Sequence, residues 1–137
     1  MIRLSKDNYF KMISHAKAGL PNETCGLLGG TEDGDVRDIR EVYLLTNIDG
    51  SNEHFSMDPK EQLAAVKDMR GKGLKPLGNW HSHPESPSRP SEEDIRLAYD
   101  PGASYMILSL ESKEAPNLNS FRIRDGKYEW EILEIYD

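Results

Sequence analysis

His81 and His83 stand two residues apart in the segment Asn79-Trp80-His81-Ser82-His83-Pro84, and that spacing can do chemistry if the segment is a strand. Side chains alternate faces along a strand, so residues i and i+2 point the same way. Two imidazoles on one face can converge on a single ion. Zinc accepts imidazole nitrogen at about 2.0–2.1 Å and carboxylate oxygen at about 2.0–2.2 Å. Asp94 can supply the third ligand if the proline-rich loop from Pro84 to Pro90 folds the next helix back over the strand end. Three protein ligands leave a fourth position open for water, and that openness separates a catalytic zinc site from a structural one. The same ligand set suits other divalent ions too.

Each residue also has a plainer reading. Paired histidines near a strand end are more often a solvated surface feature than a metal site. Ser91 and Asp94 match a capping-box signature, Ser-x-x-Asp before an apolar helix, which by itself signals only a helix start. For Ser91 the two readings are compatible. For Asp94 they conflict, because a carboxylate folded back onto the cap is not expected to reach an ion. Composition and periodicity give Glu23 no role beyond a charged residue at a strand edge. Cys25 is the only cysteine, so no internal disulfide forms, and its apolar neighbours suit a small core residue. His15 in the first helix and His54 in a loop read as ordinary polar residues, and Ser82 alternates away from the two histidines.

The elements that must position these side chains follow from periodicity and punctuation. Tyr9, Met12, Ile13, Ala16 and Leu20 give helical spacing within Leu4 to Leu20, broken by Pro21 and Asn22. Glu23 to Gly30 and Ile39 to Leu45 read as strands, and the stretch near Phe55 and Met57 as extended chain. A second helix has Asp58 as cap, Pro59 at its first position and Glu61 three residues beyond the cap. Leu74 to His83 reads as a strand, Ser91 to Tyr99 as a third helix and Tyr105 to Leu110 as a buried strand. Leu118 to Arg124 and Tyr128 to Ile135 form a hairpin about Asp125-Gly126. Three helices among about seven strands predict an α/β fold with a mixed sheet.

A chain of 137 residues fits one domain with a core of its own. With 36% hydrophobic and 30% charged residues the composition is that of an ordinary globular protein. No run approaches the roughly 18–20 apolar residues of a membrane span, and MIRLSKDNYF lacks the apolar stretch of a signal peptide, so a cytoplasmic location is expected. The net charge of −7 disfavours phosphate backbones and anionic lipid, so neither nucleic acid nor membrane is expected as a partner. Nothing in the sequence bears on oligomeric state.

Taken together the residues resemble the JAMM (MPN-type, JAB-like) zinc metallopeptidase family. His81-Ser82-His83-Pro84, six residues, then Ser91-Glu92-Glu93-Asp94 is similar to that family's His-x-His-Pro…Ser-x-x-Asp signature. Glu23, in Asn22-Glu23-Thr24-Cys25-Gly26-Leu27-Leu28-Gly29-Gly30, matches its upstream glutamate. Trp80 and the strand Tyr105 to Leu110 also sit where the pattern expects them. The likeness runs from the first helix to the last hairpin. It implies a single domain over residues 1–137 with a cytidine-deaminase-like MPN fold, one mixed sheet flanked by about three helices. It further implies Zn2+ held by His81, His83 and Asp94, Glu23 as general acid/base, and Ser91 as a stabiliser of the oxyanion.

The family's substrates are ubiquitin or ubiquitin-like proteins. The compact length resembles the short stand-alone prokaryotic branch, associated with ubiquitin-like sulfur carriers. The resemblance therefore implies a peptidase acting at the carrier's C-terminal Gly-Gly tail and releasing a terminal residue or an attached amino acid such as cysteine. Side-chain-free glycines let such a tail thread a narrow cleft and add a strand at a sheet edge. An isopeptidase that frees ubiquitin-like modifiers from lysines is the alternative within enzymes. A non-catalytic tail-binding scaffold is the alternative outside them, although this sequence keeps every ligand.

Overall fold

The computed structural model describes all 137 residues. Eight strands and three helices follow in the order β1 (Ile2–Ser5), α1 (Lys6–Ala18), β2 (Cys25–Asp33), β3 (Val36–Leu45), α2 (Pro59–Gly71), β4 (Lys75–His83), α3 (Glu92–Arg96), β5 (Ser104–Ser109), β6 (Asn117–Arg124), β7 (Lys127–Glu131) and β8 (Leu133–Tyr136). They form one mixed sheet in the order β7-β6-β5-β4-β2-β3-β1-β8. The α/β expectation of a single mixed sheet with three helices holds. β4, which carries both histidines, is central: antiparallel to β2 and parallel to β5.

One face of the sheet is closed by α1. Met12 and Ala16 pack there with Ile2, Leu4, Leu28, Val42, Trp80 and Met106, all fully buried. The opposite face carries α2 and α3. Met69 of α2 lies over Gly29, and Ile95 of α3 packs with Tyr105, Ile107, Phe121 and Ile123. His81 pairs in register with Ile107 and so shares this second face, while Trp80 faces the α1 side. Alternation along β4 thus points the indole into the core and the imidazoles into the gap between α2 and α3.

The sequence reading misplaces two ends. Helix α1 starts at Lys6, because Ser5 caps it by accepting from the Asn8 amide at 3.2 Å, and Ile2 to Ser5 instead form β1 between β3 and β8. The final segment is two strands, not one. β7 completes the hairpin with β6 across Asp125 and Gly126, both at positive φ as a type I′ turn requires. β8 then crosses to the far edge of the sheet to lie parallel with β1. The third helix is also shorter than expected, ending at Arg96 ahead of the turn before Pro101.

The capping of α2 differs in one detail. Asp58 accepts from the Lys60 amide at 2.9 Å as a cap should, but Glu61 does not reach back to it. Its carboxylate binds Thr46 instead, accepting from the backbone amide at 2.6 Å and the hydroxyl at 2.9 Å. Glu61 therefore ties α2 to the end of β3.

Close packing beside β4 makes a stability prediction. A Cβ on Gly26 would meet the Tyr43 carbonyl and the Trp80 Nε1, and so break the 3.1 Å bond that Trp80 donates to that carbonyl. Gly26→Ala should lose about 2 kcal/mol or more of stability, read as a lower urea midpoint with unchanged slope. Gly71→Ala, where a Cβ meets open space, should match or slightly exceed wild type. Equal midpoints for the two variants would contradict the packing argument.

Candidate active site

The strand end and α3 meet at three atoms. His81 Nε2 and His83 Nε2 are 3.1 Å apart, and Asp94 Oδ2 lies 3.2 Å from the first and 3.1 Å from the second. Ligand atoms about 2.0–2.1 Å from one tetrahedral ion stand about 3.3 Å from each other. Two imidazole nitrogens and a carboxylate oxygen at this spacing fit a small divalent cation. Both histidines are buried and Asp94 is half-buried.

Each ring is oriented by its surroundings. His83 Nδ1 is 2.8 Å from the Pro87 carbonyl. A carbonyl only accepts, so Nδ1 carries the proton and Nε2 keeps its lone pair for a ligand. His81 has no such partner: its Nδ1 is buried without a hydrogen bond, and the Phe55 ring stacks on it at 4.7 Å between centroids. The proline-rich loop is held to the sheet by Ser88 Oγ, which donates to the Ile107 carbonyl at 2.6 Å, and by Ser109 Oγ, which donates to Ser86 O at 2.7 Å.

The conflict expected at Asp94 does not arise in the geometry, because the carboxylate that caps α3 also faces both imidazoles. Oδ2 accepts from the Ser91 amide at 2.9 Å while it faces both imidazoles. A carboxylate oxygen has two lone-pair directions, and here the capping box uses one of them. In the other half of the box Ser91 Oγ accepts from the Asp94 amide at 3.0 Å, so the hydroxyl proton of Ser91 stays free to donate.

Electrostatics follow from this geometry. Burial pushes the Asp94 carboxyl up, but the two imidazoles and the Ser91 amide outweigh it and hold its pKa far below the usual carboxylate range. Burial likewise pulls His83 down, yet its bonds to Asp94 and the Pro87 carbonyl leave it above its ordinary value.

Glu23 is 5% exposed, and its Oε1 has no hydrogen-bond partner. Burial raises its pKa to about 8; His83 opposes the rise, while Asp94, Glu93 and Glu53 add to it. It shares a cavity of about 260 Å3 with His83 and Ser91. Its backbone is clamped on both sides, with its amide donating to Ser51 O at 2.8 Å and its carbonyl accepting from Asn47 Nδ2 at 3.0 Å. Ser82, on the opposite face of β4, fixes the next residue by accepting from the Thr24 amide at 2.8 Å and the Thr24 hydroxyl at 3.0 Å.

A larger cleft of about 380 Å3 opens on the His81 side of the triad. Leu27, Asn79, Tyr105 and Ile107 form its floor, with the loop carrying Phe55 and Leu97, the C-cap of α3, as walls. Five expected site residues thus converge: His81, His83 and Asp94 as the triad, with Glu23 and Ser91 in the adjoining cavity.

Cys25 is fully buried and burial pushes its thiol up to about 12, which makes it an inert core residue. Sequence reasoning missed Phe55 and Asn47. Asn47 ties the loop over the site together, accepting from the Asp49 and Ser56 amides and donating to the Glu23, Ser51 and His54 carbonyls. An asparagine opening a polar loop was the only available signal.

Comparison with known proteins identifies the family. The family model described as prokaryotic homologs of the JAB domain matches residues 5–124. The chain is 32% identical to the CysO-cysteine peptidase of Mycobacterium tuberculosis over 126 residues, 92% of this chain and 85% of that one. It is 32% identical to a desampylase of Haloferax volcanii over 113 residues, 79% and 80% of the two chains. The solution structure of protein DSY2949 from Desulfitobacterium hafniense superposes with a TM-score of 0.93 at 52% identity, covering 100% of this chain and 94% of that one. A match across most of the length, on a fold that gathers the family's motif residues at one point, leads to a single conclusion: the chain belongs to the prokaryotic JAB-domain family, a JAMM/MPN protein.

Proposed function

We propose that the chain is a zinc-dependent peptidase, a single JAMM/MPN domain over residues 1–137, that hydrolyses the bond after the C-terminal Gly-Gly tail of a small ubiquitin-like carrier protein. The observation that carries this is the triangle of His81 Nε2, His83 Nε2 and Asp94 Oδ2, with all sides 3.1–3.2 Å, beside the buried and unpartnered carboxyl of Glu23. The relatives support the substrate class, one being named for cleaving cysteine from CysO and another for desampylation.

His81, His83 and Asp94 would hold the ion. When bound, it supplies Lewis acidity, lowering the pKa of water toward about 7 and polarising a carbonyl. Glu23 takes a proton from the attacking water and passes it to the departing amine. The carbonyl carbon gains a hydroxyl, the C–N bond breaks, and the amine leaves with the proton. The Ser91 hydroxyl, its oxygen already anchored by the Asp94 amide, donates to the oxygen that becomes negative in the transition state. A tail lacking side chains suits the cleft over Leu27, Tyr105 and Ile107, beside Leu97 and Phe55.

Two experiments test this. Elemental analysis of protein purified without added metal should find roughly one equivalent of zinc in wild type and none in His83→Ala; a metal-free wild type, even after zinc is supplied, would contradict the proposal. Glu23→Gln should keep zinc and tail binding while its turnover on a Gly-Gly-extended carrier falls at least about a hundredfold. Undiminished turnover in that variant would remove Glu23 as the general acid/base.

A further inference from the structure

Two cavities adjoin the triad, one lined by His81 and Asp94 and the other by His83, and they differ in kind. Half of the residues lining the cleft on the His81 side are hydrophobic, Leu27, Phe55, Leu97 and Ile107 among them, beside polar ones such as Asn79 and Glu93. The cavity on the His83 side has no apolar residue at all. Three carboxyls, those of Glu23, Glu53 and Glu85, line it, and no lysine or arginine does. Glu53 and Glu85 are exposed and form no ion pair, in a chain where other surface carboxylates such as Glu32 and Glu134 do.

Glu23 decides which half of a substrate goes where. The carboxyl that protonates the departing amine must face that amine. Glu23 is among the residues lining the acidic cavity and not among those lining the larger cleft, and its buried Oε1 has no partner within the protein. The scissile bond therefore lies at the junction, its carbonyl oxygen at Ser91 and its departing amine directed into the acidic cavity, while the acyl chain runs back into the larger cleft.

Resting on the peptidase reading above, we infer that Glu53 and Glu85 form a leaving-group subsite that favours cationic residues and rejects a free carboxylate next to the scissile nitrogen. A released free amino acid carries such a carboxylate within two bonds of that nitrogen. It would enter a cavity whose Glu53 and Glu85 are unpaired and whose lining offers no lysine or arginine to receive it. A lysine ε-amine within a protein segment carries no carboxylate there, and flanking basic residues gain from the same field. Specificity then comes as much from repelling the wrong leaving group as from attracting the right one.

The experiment uses one Gly-Gly-tailed carrier joined to four leaving groups: cysteine, cysteine amide, and the lysine ε-amine of a blocked peptide with either arginine or glutamate flanks. With zinc-loaded wild type, kcat/KM should be about tenfold higher for cysteine amide than for cysteine, and for arginine over glutamate flanks, with both ratios shrinking as salt is raised. The double variant Glu53→Gln/Glu85→Gln should bring both ratios toward unity. Free cysteine released as fast as its amide, or ratios unchanged in the variant, would overturn the subsite.

A second readout does not require turnover. In NMR titrations of the zinc-loaded protein, Nα-acetyl-lysine amide should shift the Glu53 and Glu85 amides in wild type, and Nα-acetyl-glutamate should not. Equal response to the two compounds, or none to either, would again overturn it. If the carrier is never cleaved yet lysine amide binds selectively, the choice of carrier fails and the subsite stands.

Discussion

One carboxylate oxygen, Asp94 Oδ2, joins the start of α3 to the end of β4. It closes the capping box at the start of α3 and, at 3.1–3.2 Å, faces both imidazoles at the end of β4. The loop between them must therefore return on itself, and its serines and prolines serve that turn. Ser88 and Ser109 bond it to the sheet, and the Pro87 carbonyl sets the His83 tautomer. If α3 slid by a residue, the box and the triad would be lost together. A five-residue helix is too short to be stable through its own propensity, so it persists because its first turn is anchored in this way.

The central position of β4 supplies the rest of the rigidity. A strand paired on both sides has no freedom to twist its end, and its alternation commits Trp80 to the α1 core and both histidines to the opposite face. Glu23 enters from β2, the antiparallel neighbour, just before pairing begins. Ser82 reaches across to fix Thr24, so the acid/base candidate and the ligand pair are indexed to each other through backbone contacts. Leaving Glu23 Oε1 and His81 Nδ1 buried without partners costs about 1–3 kcal/mol each, and a reacting water would relieve the first.

Much of this was legible in the residues because it is local. The i, i+2 spacing of the histidines, the Ser-x-x-Asp box and the Asp125-Gly126 turn each encode their geometry within a few positions. What escaped is nonlocal or too short to show a period. β1 offers only Ile2 and Leu4 as buried positions before the helix begins, and its partners β3 and β8 are remote in sequence. β8 differs from a continuation of β7 only because Ile132 breaks the pairing and accepts from the Ile2 amide. The Asp94 conflict arose from counting one role per carboxylate when an oxygen has two acceptor directions. The work of Asn47, five hydrogen bonds across a loop, has no periodic signature.

The account rests on the triad being a ligand set and not merely a hydrogen-bonded cluster. A crystal of the zinc-supplied protein, measured on both sides of the zinc absorption edge, addresses that directly. The expected result is one anomalous peak about 2.0–2.2 Å from His81 Nε2, His83 Nε2 and Asp94 Oδ2. No peak there, with the three atoms still hydrogen-bonded to one another, would contradict it.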